Sequence, residues 1–154
     1  MQRNDKRLAE ILLVEDNPGD VRLTREAFAG SVLVGRLEVV GDGEEAMRYL
    51  YRIGPYAAAR IPDVVLLDLN LPRKDGREVL AEMRADPALK LVPVVVLTTS
   101  DAPTDVEKSY ELHANCYVRK PAEYASFIET LRRIEHYWLR TATLPTRVPP
   151  GTAS

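Results

Sequence analysis

The 154-residue chain holds one cysteine, Cys116, so no disulfide can close within it. That agrees with a reducing compartment, and a cytoplasmic location is expected. No apolar run approaches the roughly 18 residues that a membrane span needs. The opening MQRNDKRLAE is polar and lacks the apolar stretch of a signal peptide. Neither sign of charge dominates: 21 basic residues against 23 acidic ones give a net charge of −2. With no basic cluster either, nucleic-acid binding by this chain is not expected. Histidine is scarce too. His113 and His136 have no neighbours at metal-ligand spacing and read as helix-surface or helix-end residues. Cys116, in the short run CYV, reads as a small core residue rather than a nucleophile.

What the chain does have is aliphatic runs alternating with helical patterns. The runs are ILLV (11–14), LEVV (37–40), VVLL (64–67), VVVL (94–97) and CYV (116–118). Between them, apolar side chains recur at helical spacing: Ala46, Tyr49, Leu50 and Ile53; Val79, Leu80 and Met83; Phe127, Ile128, Leu131 and Ile134. Val21, Thr24 and Phe28 form a weaker stripe, and Asp16 or Asn17 is placed to cap that first helix. Gly43 and the Asp75-Gly76 pair mark helix starts, and Pro121 is placed in the first turn of the last helix. Strand-helix alternation predicts an α/β fold, a doubly wound five-stranded parallel sheet with five helices. The uniformly aliphatic first, third and fourth runs suit central strands. The second, interrupted by Glu38, and the short fifth suit edges, which is compatible with the order 2-1-3-4-5. The domain is expected over residues 8–140, between an N-terminal tail (1–7) and a proline-bearing tail (141–154).

Parallel strands share a direction, so their carboxyl ends lie on one rim, where such sheets keep their chemistry. The first run ends in Glu15-Asp16, the third in Asp68, the fourth in Thr98, and the fifth soon reaches Lys120. Carboxylates this close repel and call for a cation. Oxygen ligands suit a hard ion, and Mg²⁺ is the natural choice where a phosphoryl group is also held. Asp16 and Asp68 are then direct ligands, with Glu15 binding directly or through water. Lys120 is available to a phosphoryl oxygen and Thr98 to donate a hydrogen bond to another. The set describes a phosphoryl-transfer site with an aspartate nucleophile.

Four segments, LVEDNP (13–18), LLDLNLPRKDG (66–76), VLTTS (96–100) and YVRKP (117–121), resemble the receiver domain of two-component response regulators, in the family's order. The likeness spans about residues 8–138 and implies a flavodoxin-like receiver fold. It implies that Asp68 receives phosphate from a kinase histidine. Glu15 and Asp16 would be the acidic pair at the metal, with the backbone carbonyl of Asn70 as a further ligand. Thr98 and Lys120 would contact the phosphoryl group, and Tyr117 would be the aromatic switch residue. Glu-Asp stands where Asp-Asp is usual, a variant the family accepts.

The longer stretches LVEDNPGDVRLTREAF, VVVLTTSDAPTDVEKSYELHANCYVRKP and HYWL also resemble the small stand-alone receivers that serve bacterial phytochrome histidine kinases. Such a protein is not an enzyme beyond its own phosphorylation and dephosphorylation, and signals by conformational change or by passing phosphate on. A competing reading is an aspartate-nucleophile phosphohydrolase, but that chemistry needs a second aspartate where this chain has Asn70. Another is an interaction module never phosphorylated. Tyr137, Trp138 and Leu139, followed by the proline-stiffened TLPTRVPP, predict a homodimer with the last helix and tail at its interface.

Overall fold

The computed structural model describes residues 8–145. Five parallel strands, β1 (Ala9–Val14), β2 (Val34–Val40), β3 (Val64–Leu67), β4 (Val94–Thr98) and β5 (Cys116–Arg119), form one sheet in the order β2-β1-β3-β4-β5. Five helices connect and cover them: α1 (Pro18–Phe28), α2 (Gly43–Leu50), α3 (Gly76–Ala85), α4 (Pro103–Glu111) and α5 (Tyr124–His136). The predicted doubly wound receiver architecture is the one observed.

Side chains alternate along each strand, so the aliphatic runs feed two cores. Leu12, Val14, Val65, Leu67, Val94 and Val96 face α2 and α3, joining Leu50, Leu80 and Met83. Ile11, Leu13, Val64, Leu66, Val95 and Leu97 face α1 and α5, joining Phe28, Phe127, Ile128 and Leu131. Burial on both faces is why the central strands lack a polar alternation. Cys116, half-buried on edge strand β5, packs against the second core, and burial pushes its thiol up.

The helix boundaries have identifiable causes. Asn17 caps α1, its side chain accepting from Asp20 N, and Pro18 supplies the first helical residue. Helix α2 stops sooner than its stripe implies. Arg52 takes a left-handed φ of 58°, and Ile53 N bonds back to Arg48 O while Arg52 N bonds to Tyr49 O. This hydrogen-bonded stop places Ile53 beyond the helix and half in solvent, so it does not extend the buried face. The same stop ends α4, with His113 at φ 65°. His113 and His136 are thus both helix-end residues, as read from the sequence.

Pro121 does not lie in the first turn of the last helix, as its residue type had suggested. That helix begins at Tyr124 with Glu123 as its cap, and Pro121 belongs to the loop leaving β5. A short π-helical turn, Tyr137–Thr141, continues α5, and Trp138, Leu139 and Leu144 fold onto the second core while Tyr137 stays exposed. Of the tails expected at 1–7 and 141–154, residues 1–7 and 146–154 lie outside the described residues, whereas Leu144 of the second tail packs on the domain.

Candidate functional site

Strands β1, β3, β4 and β5 end on one edge, and they deliver Glu15, Asp16, Asp68, Thr98 and Lys120 to it. Glu15, Asp68, Thr98 and Lys120 are buried, whereas Asp16 is exposed. Carboxylate oxygens of Glu15, Asp16 and Asp68 lie within 4.8 Å of one another. Three such oxygens converging suit a hard divalent cation, because each carboxylate alone would be disfavoured by its neighbours.

Lys120 organises the interior of this cluster. Its Nζ donates to Glu15 Oε1 at 2.6 Å, to Asp20 Oδ2 at 2.8 Å and to Asp68 Oδ2 at 3.0 Å. Burial alone would lower the lysine's pKa, but Asp20, Glu15 and Asp68 outweigh it and hold the ammonium firmly protonated. Glu15 shows the opposite balance: burial pushes its carboxyl up to about 7, despite the hydrogen bond from Lys120. A cation in the cluster would favour the charged form of Glu15, so the site's electrostatics invite one.

Thr98 closes β4 and is fully buried, and its Oγ1 has no hydrogen-bond partner among the described residues. Buried hydroxyls are normally satisfied. An unpaired hydroxyl at the rim keeps a donor to offer an incoming group. Tyr117, on β5, donates from its hydroxyl to Ser100 O at 2.7 Å, tying its ring to the loop after Thr98. Asn70 N approaches Asp68 Oδ1 at 3.2 Å, which fixes one face of that carboxylate.

Two glycines hold the loop after β3 in place. A Cβ at Gly76 would sit well inside contact with the carbonyl of Asp68, and one at Gly43 would collide with the carbonyl of Lys74. Both are glycine because backbone passes against backbone, not because of their φ. Arg73, inside that loop, donates to Asp42 at 2.9 Å, and Asp42 also caps α2 through Glu45 N.

All five rim residues expected from the sequence lie on this edge, where Glu15, Asp16, Asp68 and Lys120 meet and Thr98 ends the adjacent strand. Two partners were not foreseen. Asp20, in the first turn of α1, reaches Lys120. Its signal was its place in the first turn of a helix that leaves the rim directly. Ser100 receives Tyr117 through its backbone carbonyl, which no side-chain pattern announces.

Fold and site together define the class: a doubly wound α/β domain with an aspartate at a strand end, an acidic pair, a hydroxyl and a lysine on one sheet edge. A family model for the response regulator receiver domain matches residues 11–132, and the chain belongs to that family. Response regulator Rcp1 of Synechocystis sp. is 49% identical over 135 residues, 88% of this chain and 92% of its own length. Among solved structures, phosphorylated RcpA, a cyanobacterial phytochrome response regulator, is similar with a TM-score of 0.89 and 52% identity, covering 91% of this chain and 100% of that one. The Mn²⁺-bound form of Rcp1 is similar with a TM-score of 0.86 and 48% identity, covering 90% of this chain and 99% of the other.

Proposed function

We propose that this receiver takes a phosphoryl group onto Asp68 from the phosphohistidine of a sensor kinase, with Mg²⁺ in the acidic cluster. The observation that carries the reading is the strand-end Asp68 held by Lys120 within a carboxylate cluster that suits a cation, with the unpaired Thr98 hydroxyl at the end of the neighbouring strand. An Asp68 carboxylate oxygen attacks phosphorus, the P–N bond breaks, and the imidazole leaves with the bonding pair and takes up a proton. Glu15, Asp16, Asp68 and the carbonyl of Asn70 would hold the metal, which supplies charge neutralisation when bound. Lys120 pairs with one phosphoryl oxygen and Thr98 donates to another. Incubation with Mg²⁺ and a small phosphodonor, read by intact mass, tests this. A single adduct lost in Asp68→Asn supports it, and an adduct that survives the substitution overturns it.

Output follows from the same atoms. Once Thr98 donates to the phosphoryl group, Tyr117 can exchange its bond to Ser100 for the space beside Thr98, altering the face formed by α4, β5 and α5. Thr98→Ala should still be phosphorylated while losing the change around Tyr117 in amide shifts. The chain itself turns over no external substrate, and it acts in the cytoplasm. Support for that location is that no helix among the described residues is long and apolar enough to cross a membrane.

The kinase is a bacterial phytochrome. The likeness to RcpA supports this, and phosphotransfer from a phytochrome kinase that is no faster than from an unrelated kinase would count against it. Residues 8–140 form the receiver proper, with the tails flanking it, and two copies pair through the end of α5. Exposed Tyr137 beside Trp138 supports the pairing, although Trp138 itself packs on its own domain. Sedimentation of the full chain at tens of micromolar tests it, and a monomer in both phosphorylation states would end it.

A further inference from the structure

Asp20 has none of the roles assigned above, yet it holds the same ammonium. Its backbone is fixed on both sides: Asp20 N donates to Asn17 Oδ1 at 3.0 Å, and Asp20 O accepts from the buried Thr24 hydroxyl at 2.8 Å. Its side chain is 22% exposed, and that of Lys120 only 4%. An ammonium has three N–H donors and no more. Glu15, Asp20 and Asp68 take all three. A phosphoryl group on Asp68 therefore shares the ammonium's charge and donors with whichever of them stays bound.

The three acceptors are not equivalent. Glu15 and Asp68 belong to the carboxylate cluster that suits a cation, and a bound cation draws their charge away from the lysine. Asp20 lies outside that cluster and keeps its claim on Lys120. We propose that Asp20 is a positioning residue that competes with the incoming phosphoryl group for Lys120. It restrains phosphorylation of the cation-loaded site while adding a negative charge that strengthens cation binding. This rests on the reading of Asp68 as the phosphoacceptor. The bland alternative is that Asp20 only favours the N-terminus of α1 through its charge. In that case its removal would lower thermal stability and leave the site's chemistry alone.

The two effects of Asp20 run in opposite directions, which makes them separable. In Asp20→Ala, Mg²⁺ affinity measured by calorimetry should fall. Phosphoryl incorporation from phosphoramidate at saturating Mg²⁺ should rise by roughly threefold or more, as loss of one partly exposed ion pair implies. Asp20→Asn removes the charge but keeps an acceptor, so it should shift both readouts the same way by less, and it serves if the alanine variant fails to fold. Asp20→Glu should restore both towards wild type. In a Lys120→Ala background, adding Asp20→Ala should leave the residual rate unchanged, because the competition acts through that lysine. Equal or slower incorporation in Asp20→Ala and Asp20→Asn overturns the proposal, as does the same acceleration without Lys120. A wild-type chain that takes no phosphoryl group at all overturns the Asp68 reading as well, which distinguishes the two failures.

Discussion

Where the strands begin, Asn115 Oδ1 accepts from Val94 N at 2.8 Å and from Arg84 Nη2 at 2.9 Å, while the same guanidinium donates to the carbonyls of Lys90, Val92 and His113. Glu10 N is likewise met by Asp63 at 2.8 Å. Where the strands end, three carboxylates crowd one lysine and the Thr98 hydroxyl has no partner among the described residues. The same sheet thus has one edge whose polar groups complete backbone hydrogen bonds and one whose polar groups await something. Satisfied polar groups stabilise a fold; concentrated like charge and an unpaired hydroxyl cost stability and are kept where a ligand relieves them.

Substitutions at the two edges should therefore separate stability from chemistry. The largest effect is expected from Asp68→Asn: complete loss of phosphoryl incorporation by intact mass, with the fold retained. Next is Arg84→Ala at the opposite edge. It removes four hydrogen bonds, including those to Lys90, Val92 and His113, and should cost about 1–3 kcal/mol by urea unfolding. Its Mg²⁺ affinity should match wild type, and a changed affinity would blur the contrast between the edges.

Thr98→Val should do the reverse. It replaces the unpaired hydroxyl with a methyl of similar size, so stability should hold or rise by about 1 kcal/mol while the response around Tyr117 to phosphorylation is lost. A clear loss of stability would mean that the hydroxyl is satisfied in solution.

The smallest effect is a pH dependence at Glu15. Its folded-state carboxyl lies at about 7, above the ordinary 4.5, so the folded protein binds the proton more tightly than the unfolded chain. The contribution to stability is present below pH 4.5 and is lost as pH rises through 7. Without divalent cations, the melting temperature of Glu15→Gln relative to wild type should therefore climb across that window. Saturating Mg²⁺ should flatten the difference by favouring the charged carboxylate in wild type. A constant difference across the window would remove the burial argument.

Periodicity and strand-end chemistry in the sequence already determined the element order, the two-faced burial of the central strands, and the delivery of Glu15, Asp16, Asp68, Thr98 and Lys120 to one rim. These are local properties: a run of aliphatic residues needs two covered faces, and a parallel sheet puts every strand's end on the same side. Only the tertiary structure decided how the charges pair. That Lys120 spends its third donor on Asp20, 100 residues away, depends on where the first turn of α1 lies relative to the loop after β5. That Trp138 folds onto its own core depends on a π-helical turn after His136 that no apolar spacing specifies. Ile53 left its stripe and Pro121 left its helix because hydrogen-bonded stops and caps, set by a few backbone angles, overrode residue preference. Side-chain pattern selects which faces are buried; distances between groups far apart in the chain exist only once the layers have packed.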